Sequence, residues 1–140
     1  AGHPNIVGVK DTSGKVAKIA DTVRLAGPDF QVLAGSASFL FPSLTVGAVG
    51  GILALANIAP QMCLDMYDLF QAGRWDEAAA LQRRAIPINA AVTARFGISG
   101  LKAAMEMLGH RGGPVRSPLM DLTEAEREAL RDILVEGGVL

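Results

Sequence analysis

Lys10 closes an apolar, β-type run, Ile6-Val7-Gly8-Val9-Lys10, and is followed at once by Asp11-Thr12-Ser13-Gly14. A lysine at the carboxyl end of a buried strand is unfavourably placed unless its amine is used. An ammonium in apolar surroundings loses solvation, its pKa falls, and the free amine becomes available. Such an amine can attack a ketone and form a Schiff base. The plainer alternative is a strand-end lysine whose head snorkels to water. Thr12 lies two residues further on, so strand alternation puts it on the face that carries Lys10. Asp11 then points away and reads as a helix-start or structural residue.

Other polar residues follow apolar runs in the same manner. Ser36 can hydrogen-bond a substrate or cap the helix that follows it. Gly35 permits close backbone approach, or simply ends a strand in a turn. Asn57 reads as a tie within a strand-helix loop. Gly47, Gly50 and Gly51 read as turn and packing glycines; no Gly-Lys-Ser/Thr follows them, which excludes a P-loop. His3 and His110 lack partners at metal-ligand spacing, so no metal site is expected. The single cysteine, Cys63, excludes an internal disulfide and reads as a core residue on a helix face. Trp75 is expected to anchor the later helices. Arg83-Arg84 is expected to form a solvated face or a subunit contact.

The elements that must position these residues alternate in the first half. Residues 5–10 read as a fully buried strand. Residues 14–25 read as a helix, with Val16, Ile19, Ala20 and Val23 on one stripe and Gly27-Pro28 ending it. Residues 31–35 form a second short strand, 36–46 a helix candidate with Pro42 as a defect, and 51–55 a third strand. Pro60 opens a helix at its favoured first-turn position and Gly73 ends it. Beyond Gly73 only helices are expected. One covers 75–95, bent near Pro87. The next covers 100–108, with Ser99 as N-cap and Gly109 as C-cap. The last starts at Thr123 with a capping box to Glu126 and stops at Gly137-Gly138.

With 50% apolar residues, 19% charged and a net charge of −1, nothing points to nucleic acid or an anionic membrane. The uncharged stretch from Phe30 to Leu64 is long enough to suggest a membrane span. Pro42, Gly47, Gly50, Gly51, Asn57 and Pro60 interrupt it, as suits buried parallel strands and their flanking helices. The low cysteine content fits a reducing compartment. The opening residues show no signal or transit pattern; the chain enters a strand almost at once and is expected to be a piece of a longer protein.

Buried strands joined by short helical crossovers mean a parallel α/β structure. Three strands do not close on themselves, so the sheet is either small and open or part of a (β/α)₈ barrel. Barrel enzymes carry their catalytic groups at the carboxyl ends of strands, which is where Lys10, Gly35-Ser36 and Asn57 fall. The expected fold is therefore the C-terminal part of a TIM barrel, residues 1–73, followed by a C-terminal helical extension, residues 74–140.

Three strings carry a family resemblance: Gly8-Val9-Lys10-Asp11-Thr12-Ser13-Gly14, Val32-Leu33-Ala34-Gly35-Ser36-Ala37, and the run from Gly47 to Asn57. In order and separation they resemble the sixth to eighth strands of the dihydrodipicolinate synthase / N-acetylneuraminate lyase family, and the later helices resemble its C-terminal extension. Within that family the likeness is greatest to the 4-hydroxy-2-oxoglutarate aldolases. It rests on residues 3–8, Phe30 to Ala37, Pro87 to Thr93, Arg95-Phe96-Gly97-Ile98 and Gly112-Gly113-Pro114. Dihydrodipicolinate synthases typically carry acidic residues where this chain has Ser36 and Ala37.

The resemblance implies a class I aldolase. Lys10 forms an imine with a 2-oxo acid, the C3–C4 bond breaks to leave an enamine, and pyruvate is released; from 4-hydroxy-2-oxoglutarate the other product is glyoxylate. It implies substrate-binding roles for Thr12 (hydroxyl to the distal carboxylate, or proton transfer), Gly35 near the imine, Ser36, and the backbone carbonyl of Ile52. No cofactor is implied beyond the covalent Schiff base. The expected partner is a small 2-oxo acid, the expected assembly a homo-oligomer, commonly a tetramer in the family, and the expected location the cytoplasm, or the mitochondrion in a eukaryote. The family's carboxylate-binding loop and relay tyrosine lie upstream of the lysine strand. Tyr67, the only tyrosine, is not that residue, so the chain alone is expected to be inactive. Two other readings stay open: a synthase or other pyruvate-dependent lyase of the same family, and a non-catalytic binding or oligomerisation module.

Overall fold

The computed structural model describes residues 2–140; Ala1, the first residue assigned to the barrel part, lies outside the described residues. Strands β1 (Gly8–Asp11), β2 (Gln31–Ala34) and β3 (Gly50–Gly51) lie parallel and in chain order. Lys10 pairs with Leu33, and Leu33 in turn with Gly50. Helix α1 (Val16–Ala26) crosses from β1 to β2. A 3-10 turn (Ala37–Phe39) and helix α2 (Leu40–Thr45) cross from β2 to β3. Parallel strands require such crossovers. Pro42 sits in the first turn of α2, where its missing N–H deprives no helical partner. Ile19 of α1 is fully buried and packs with Val32 and Ala48.

The helices cover one face of the sheet only. Val32 and Ala34 on that face are buried, whereas Lys10 and Gln31 on the other are exposed. The expectation of a fully buried first strand is corrected: residues 5–7 precede the strand, although the Val7 carbonyl still accepts from the Gln31 N–H at 2.9 Å, and Ile6, Val7 and the edge-strand residue Val9 are exposed. The third strand is also shorter than the expected 51–55. The Ile52 N–H still donates to the Ala34 carbonyl at 2.9 Å, and then the chain turns into a 3-10 segment, Ala54–Asn57. A short apolar run does not separate strand from buried turn. Here the turn buries Leu55 completely and leads to Pro60 at the start of α3 (Pro60–Gln71). Asn57 Nδ2 donates to the Ala54 carbonyl at 3.0 Å, the expected loop tie.

Helix α4 (Trp75–Ala90) contains Pro87, and a π turn, Ala91–Arg95, follows it directly. The irregularity therefore falls just past the proline rather than at it. Helix α5 (Gly97–Met107) begins earlier than expected, because Gly97, with φ of 59°, lets the chain leave the π turn and start again. Ser99 is consequently inside the helix and not its cap; its Oγ donates to the Met120 carbonyl at 2.7 Å. Helix α6 (Glu124–Glu136) has the expected capping box, with reciprocal Thr123 and Glu126 bonds.

One apolar cluster joins the strand ends to the helices, with Ala34, Leu55, Met66, Ile88, Leu130 and Leu134 all fully buried. Cys63 belongs to it, and burial pushes its thiol up to about 11. Trp75 stacks on Phe70 at 6.4 Å between ring centroids but stays 58% exposed, so it holds the α3–α4 corner from outside. Arg84 is not simply a solvated charge: its Nε and Nη2 donate to the Gly137 carbonyl at 3.0 and 2.8 Å and tie α4 to the end of α6. Among the described residues no helix is long and apolar enough to cross a membrane.

Candidate active site

Strand alternation and parallel register together gather the sequence-derived residues. Lys10 lies on the open face, and Asp11 and Ala34 lie on the helix-covered face. One step further along each strand, Thr12, Gly35 and Ile52 return to the open face beside Lys10. The ladder persists to that point, since the Gly35 N–H donates to the Asp11 carbonyl at 2.7 Å. Four candidates thus meet at the carboxyl edge of the sheet. Lys10 is exposed there, and Ile52 is 51% exposed.

Beside this edge opens a pocket of about 340 Å³ lined by Thr12, Gly35, Ser36, Ser38, Asn89 and Thr93, among others. Lys10 and Ile52 do not line it. Ser36 caps the 3-10 turn by accepting from the Ser38 N–H at 3.3 Å, so it is both cap and pocket wall. Asn89, 1% exposed on the inner face of α4, donates through Nδ2 to Ser36 Oγ at 3.0 Å and Ser38 Oγ at 2.8 Å. Gln82, one heptad earlier on the same stripe, accepts from the Phe41 N–H at 2.9 Å and donates to the Ala37 carbonyl at 2.7 Å. These two amides clamp α4 to the loop after β2.

Asn89 and Ser38 were not singled out from the sequence. The signal was there: Ala78, Gln82, Ala85 and Asn89 recur at helical spacing and are all buried. Two amides in such a stripe need partners, which the loop after β2 supplies.

Asp11 plays the structural part expected of it. It is 7% exposed, and its carboxylate accepts from Lys18 Nζ at 2.6 Å, the Ser13 N–H at 2.7 Å and Ser13 Oγ at 2.5 Å. The Lys18 bond first, and then the Ser13 hydroxyl, hold its carboxyl at about 2 against the opposing effect of burial. A depressed folded-state pKa contributes stability that is present above the ordinary value of 3.8 and is lost as pH falls through about 2. Lys18 is 58% exposed, and solvent screening holds the contribution to about 1 kcal/mol. Asp11→Asn is expected to melt a few degrees lower at neutral pH and to lose less stability than the parent between about pH 4 and pH 2. Parallel melting curves for the two proteins across that window would contradict the assignment.

Gly35 is required by close approach. A Cβ there would run into the Thr12 side chain and meet the Asp11 carbonyl oxygen at 2.8 Å. Gly35→Ala is expected to cost about 1–3 kcal/mol and to displace Thr12 from the pocket. Urea unfolding measures the first effect, and the Thr12 amide resonance reports the second.

Parallel βα units with candidate polar groups at their carboxyl ends place the chain among the TIM-barrel folds. The chain belongs to the dihydrodipicolinate synthetase family, whose model matches residues 1–136. It is 40% identical over 137 residues to a 4-hydroxy-tetrahydrodipicolinate synthase of Symbiobacterium thermophilum, a match covering 98% of the chain and 46% of that protein. It is 37% identical over 135 residues to an uncharacterized DapA-like lyase of Halobacterium salinarum, covering 96% of the chain and 44% of the relative. The crystal structure of dihydrodipicolinate synthase from Bacillus anthracis superposes with a TM-score of 0.91 at 28% identity, over 96% of the chain and 46% of that structure. The synthase from Thermotoga maritima does so with a TM-score of 0.89 at 29% identity, over 97% and 47%. The chain spans about half the length of these relatives. None of these four is named a 4-hydroxy-2-oxoglutarate aldolase.

Proposed function

We propose that the chain supplies the Schiff-base part of a pyruvate-dependent lyase or synthase, with Lys10 as the amine. The observation that carries this reading is the convergence of Lys10, Thr12, Gly35 and Ile52 on one face at the carboxyl edge of the sheet. The neutral Lys10 amine adds to the ketone of a 2-oxo acid and water leaves, forming an imine. The protonated imine withdraws electrons from C3, so a C3–H or C3–C4 bond can break to give an enamine. Addition of that enamine to an aldehyde is the synthase direction; protonation and hydrolysis to pyruvate is the lyase direction. Thr12 binds the distal carboxylate or carries the proton, a role its position on the same face supports.

The names of the relatives favour a reaction of the 4-hydroxy-tetrahydrodipicolinate synthase type. One observation favours cleavage of 4-hydroxy-2-oxoglutarate to pyruvate and glyoxylate instead: Ser36 and Ala37 stand where the resemblance leads one to expect acidic residues in a synthase. On either reading the partner is a small 2-oxo acid, bound without a further cofactor. A homo-oligomer located in the cytoplasm fits both.

The test mixes the 140-residue chain with the N-terminal half of the Symbiobacterium thermophilum relative, to complete the barrel. Formation of 4-hydroxy-tetrahydrodipicolinate and release of pyruvate from 4-hydroxy-2-oxoglutarate are both followed. Activity in the first assay alone supports the synthase, and activity in the second alone supports the aldolase. A reassembled barrel inactive in both, with Lys10 unlabelled by pyruvate and borohydride, overturns the catalytic reading in favour of a binding or oligomerisation module.

A further inference from the structure

We propose that Asn89 is a positioning residue that turns the hydroxyl protons of Ser36 and Ser38 toward the pocket beside Thr12, making that pocket a receptor for a carboxylate group. The inference rests on the reading that the pocket takes part of a substrate held at Lys10.

The hydrogen bonds set the polarity. A serine oxygen has two lone pairs and one proton. Ser36 Oγ accepts from the Ser38 N–H and from Asn89 Nδ2, so both of its acceptor positions are filled and only its proton is left to give. Ser38 Oγ accepts from the same amide nitrogen at 2.8 Å. Neither hydroxyl proton is used in these bonds. The third neighbour of Nδ2, Thr93 Oγ1, is at 3.5 Å and spends its own proton on the Asn89 carbonyl at 2.6 Å. Asn89 therefore directs its two N–H groups at the two serines and leaves two O–H donors beside Thr12.

A merely structural amide would use both of its ends. Gln82, on the same stripe of α4, does so with one backbone donor and one backbone acceptor. Asn89 Oδ1 is buried with no hydrogen-bond partner, and a buried unpaired acceptor is a standing cost. Asn89 is thus held by its donor end alone, the end that orients the serines. The π turn that follows it, Ala91–Arg95, carries Thr93 to the pocket wall, and such turns recur at functional sites.

The ligand chemistry follows from the lining. The pocket wall contains no Asp or Glu among the described residues, and the nearby Asp11 carboxylate is turned away and taken by Lys18. Hydroxyl donors without a competing carboxylate suit an anion better than a cation, which finds no anionic side chain among the described lining residues. About 340 Å³ accommodates a small carboxylic acid.

The probes are malonate and its neutral counterpart malonamide, titrated into the ¹⁵N-labelled 140-residue chain and followed at the Thr12, Ser36 and Ser38 amides. In Asn89→Asp the new carboxylate accepts from both serine hydroxyls and reverses the polarity of the pocket. Malonate affinity is expected to fall by at least about tenfold, and malonamide affinity to change by less than about twofold. Ser38→Ala, which deletes one donor and leaves the clamp to Ser36, is expected to weaken malonate by about threefold and keeps the question open to measurement if Asn89→Asp does not fold. Equal malonate affinity in the parent and the variant that folds would overturn the inference, as would malonate binding away from the pocket. Labelling of Lys10 by pyruvate and borohydride, run on the same variants paired with the complementing N-terminal half, separates the two claims. Labelled Lys10 with variant-independent malonate binding sinks the role of Asn89 alone. Unlabelled Lys10 with intact malonate selectivity sinks the imine reading and leaves the carboxylate pocket standing.

Discussion

In the chain paired with a complementing N-terminal half, Lys10→Arg is expected to abolish borohydride-dependent capture of pyruvate and to lower turnover by a factor on the order of 10³ or more. Arginine keeps the positive charge at the carboxyl edge of the sheet but offers no free amine, because its guanidinium stays protonated. The substitution therefore separates attraction of an anionic substrate from covalent chemistry. Lys10 is exposed on the open sheet face of the chain alone, so the stability of the unpaired chain should change by no more than about 0.5 kcal/mol. A variant that melts like the parent yet captures no pyruvate is the expected pattern. Turnover by Lys10→Arg within about tenfold of the parent would place the chemistry elsewhere.

Leu130→Ala is expected to have the largest effect on stability, about 2–5 kcal/mol. Leu130 is fully buried on α6, in the cluster that contains Ile88 of α4 and Leu55 of the turn after β3. Truncation leaves a cavity in the layer joining α4 to α6. Domains of this size are stable by about 5–15 kcal/mol, so the loss is a large fraction of the total. The effect should reach the site, because Ile88 precedes Asn89 on the helix that clamps Ser36 and Ser38. Urea unfolding gives the magnitude, and hydrogen exchange at Ser38 gives the coupling. A loss below about 1 kcal/mol would mean that α6 does not close the core.

The fold was readable where local chemistry is unambiguous. The Thr123–Glu126 capping box, Pro60 at the first turn of α3 and the stripe of Ile19 on α1 each formed as their residue types require. The family was readable from three short strings around Lys10, Gly35 and Gly51, and the family match bears it out. Failures came where a local rule met tertiary context. The run after Gly51 reads equally as strand or turn, and burial of Leu55 chose the turn. Ser99 looks like an N-cap, but Gly97 had already restarted the helix. A buried first strand was expected from its apolar residues, but β1 lies at the sheet edge, where Val9 stays exposed while its partner Val32 on β2 is buried. Asn89 was missed because its partners lie more than fifty residues away in sequence, at Ser36 and Ser38. Only packing of α4 on the loop after β2 reveals it.

The central claim is that Lys10 is the imine-forming amine, and peptide mapping after pyruvate and borohydride treatment tests it most directly. The chain paired with a complementing N-terminal half should yield one reduced pyruvyl adduct, on the peptide containing Lys10. An adduct on another lysine, or none on a protein shown to be folded, would contradict the account.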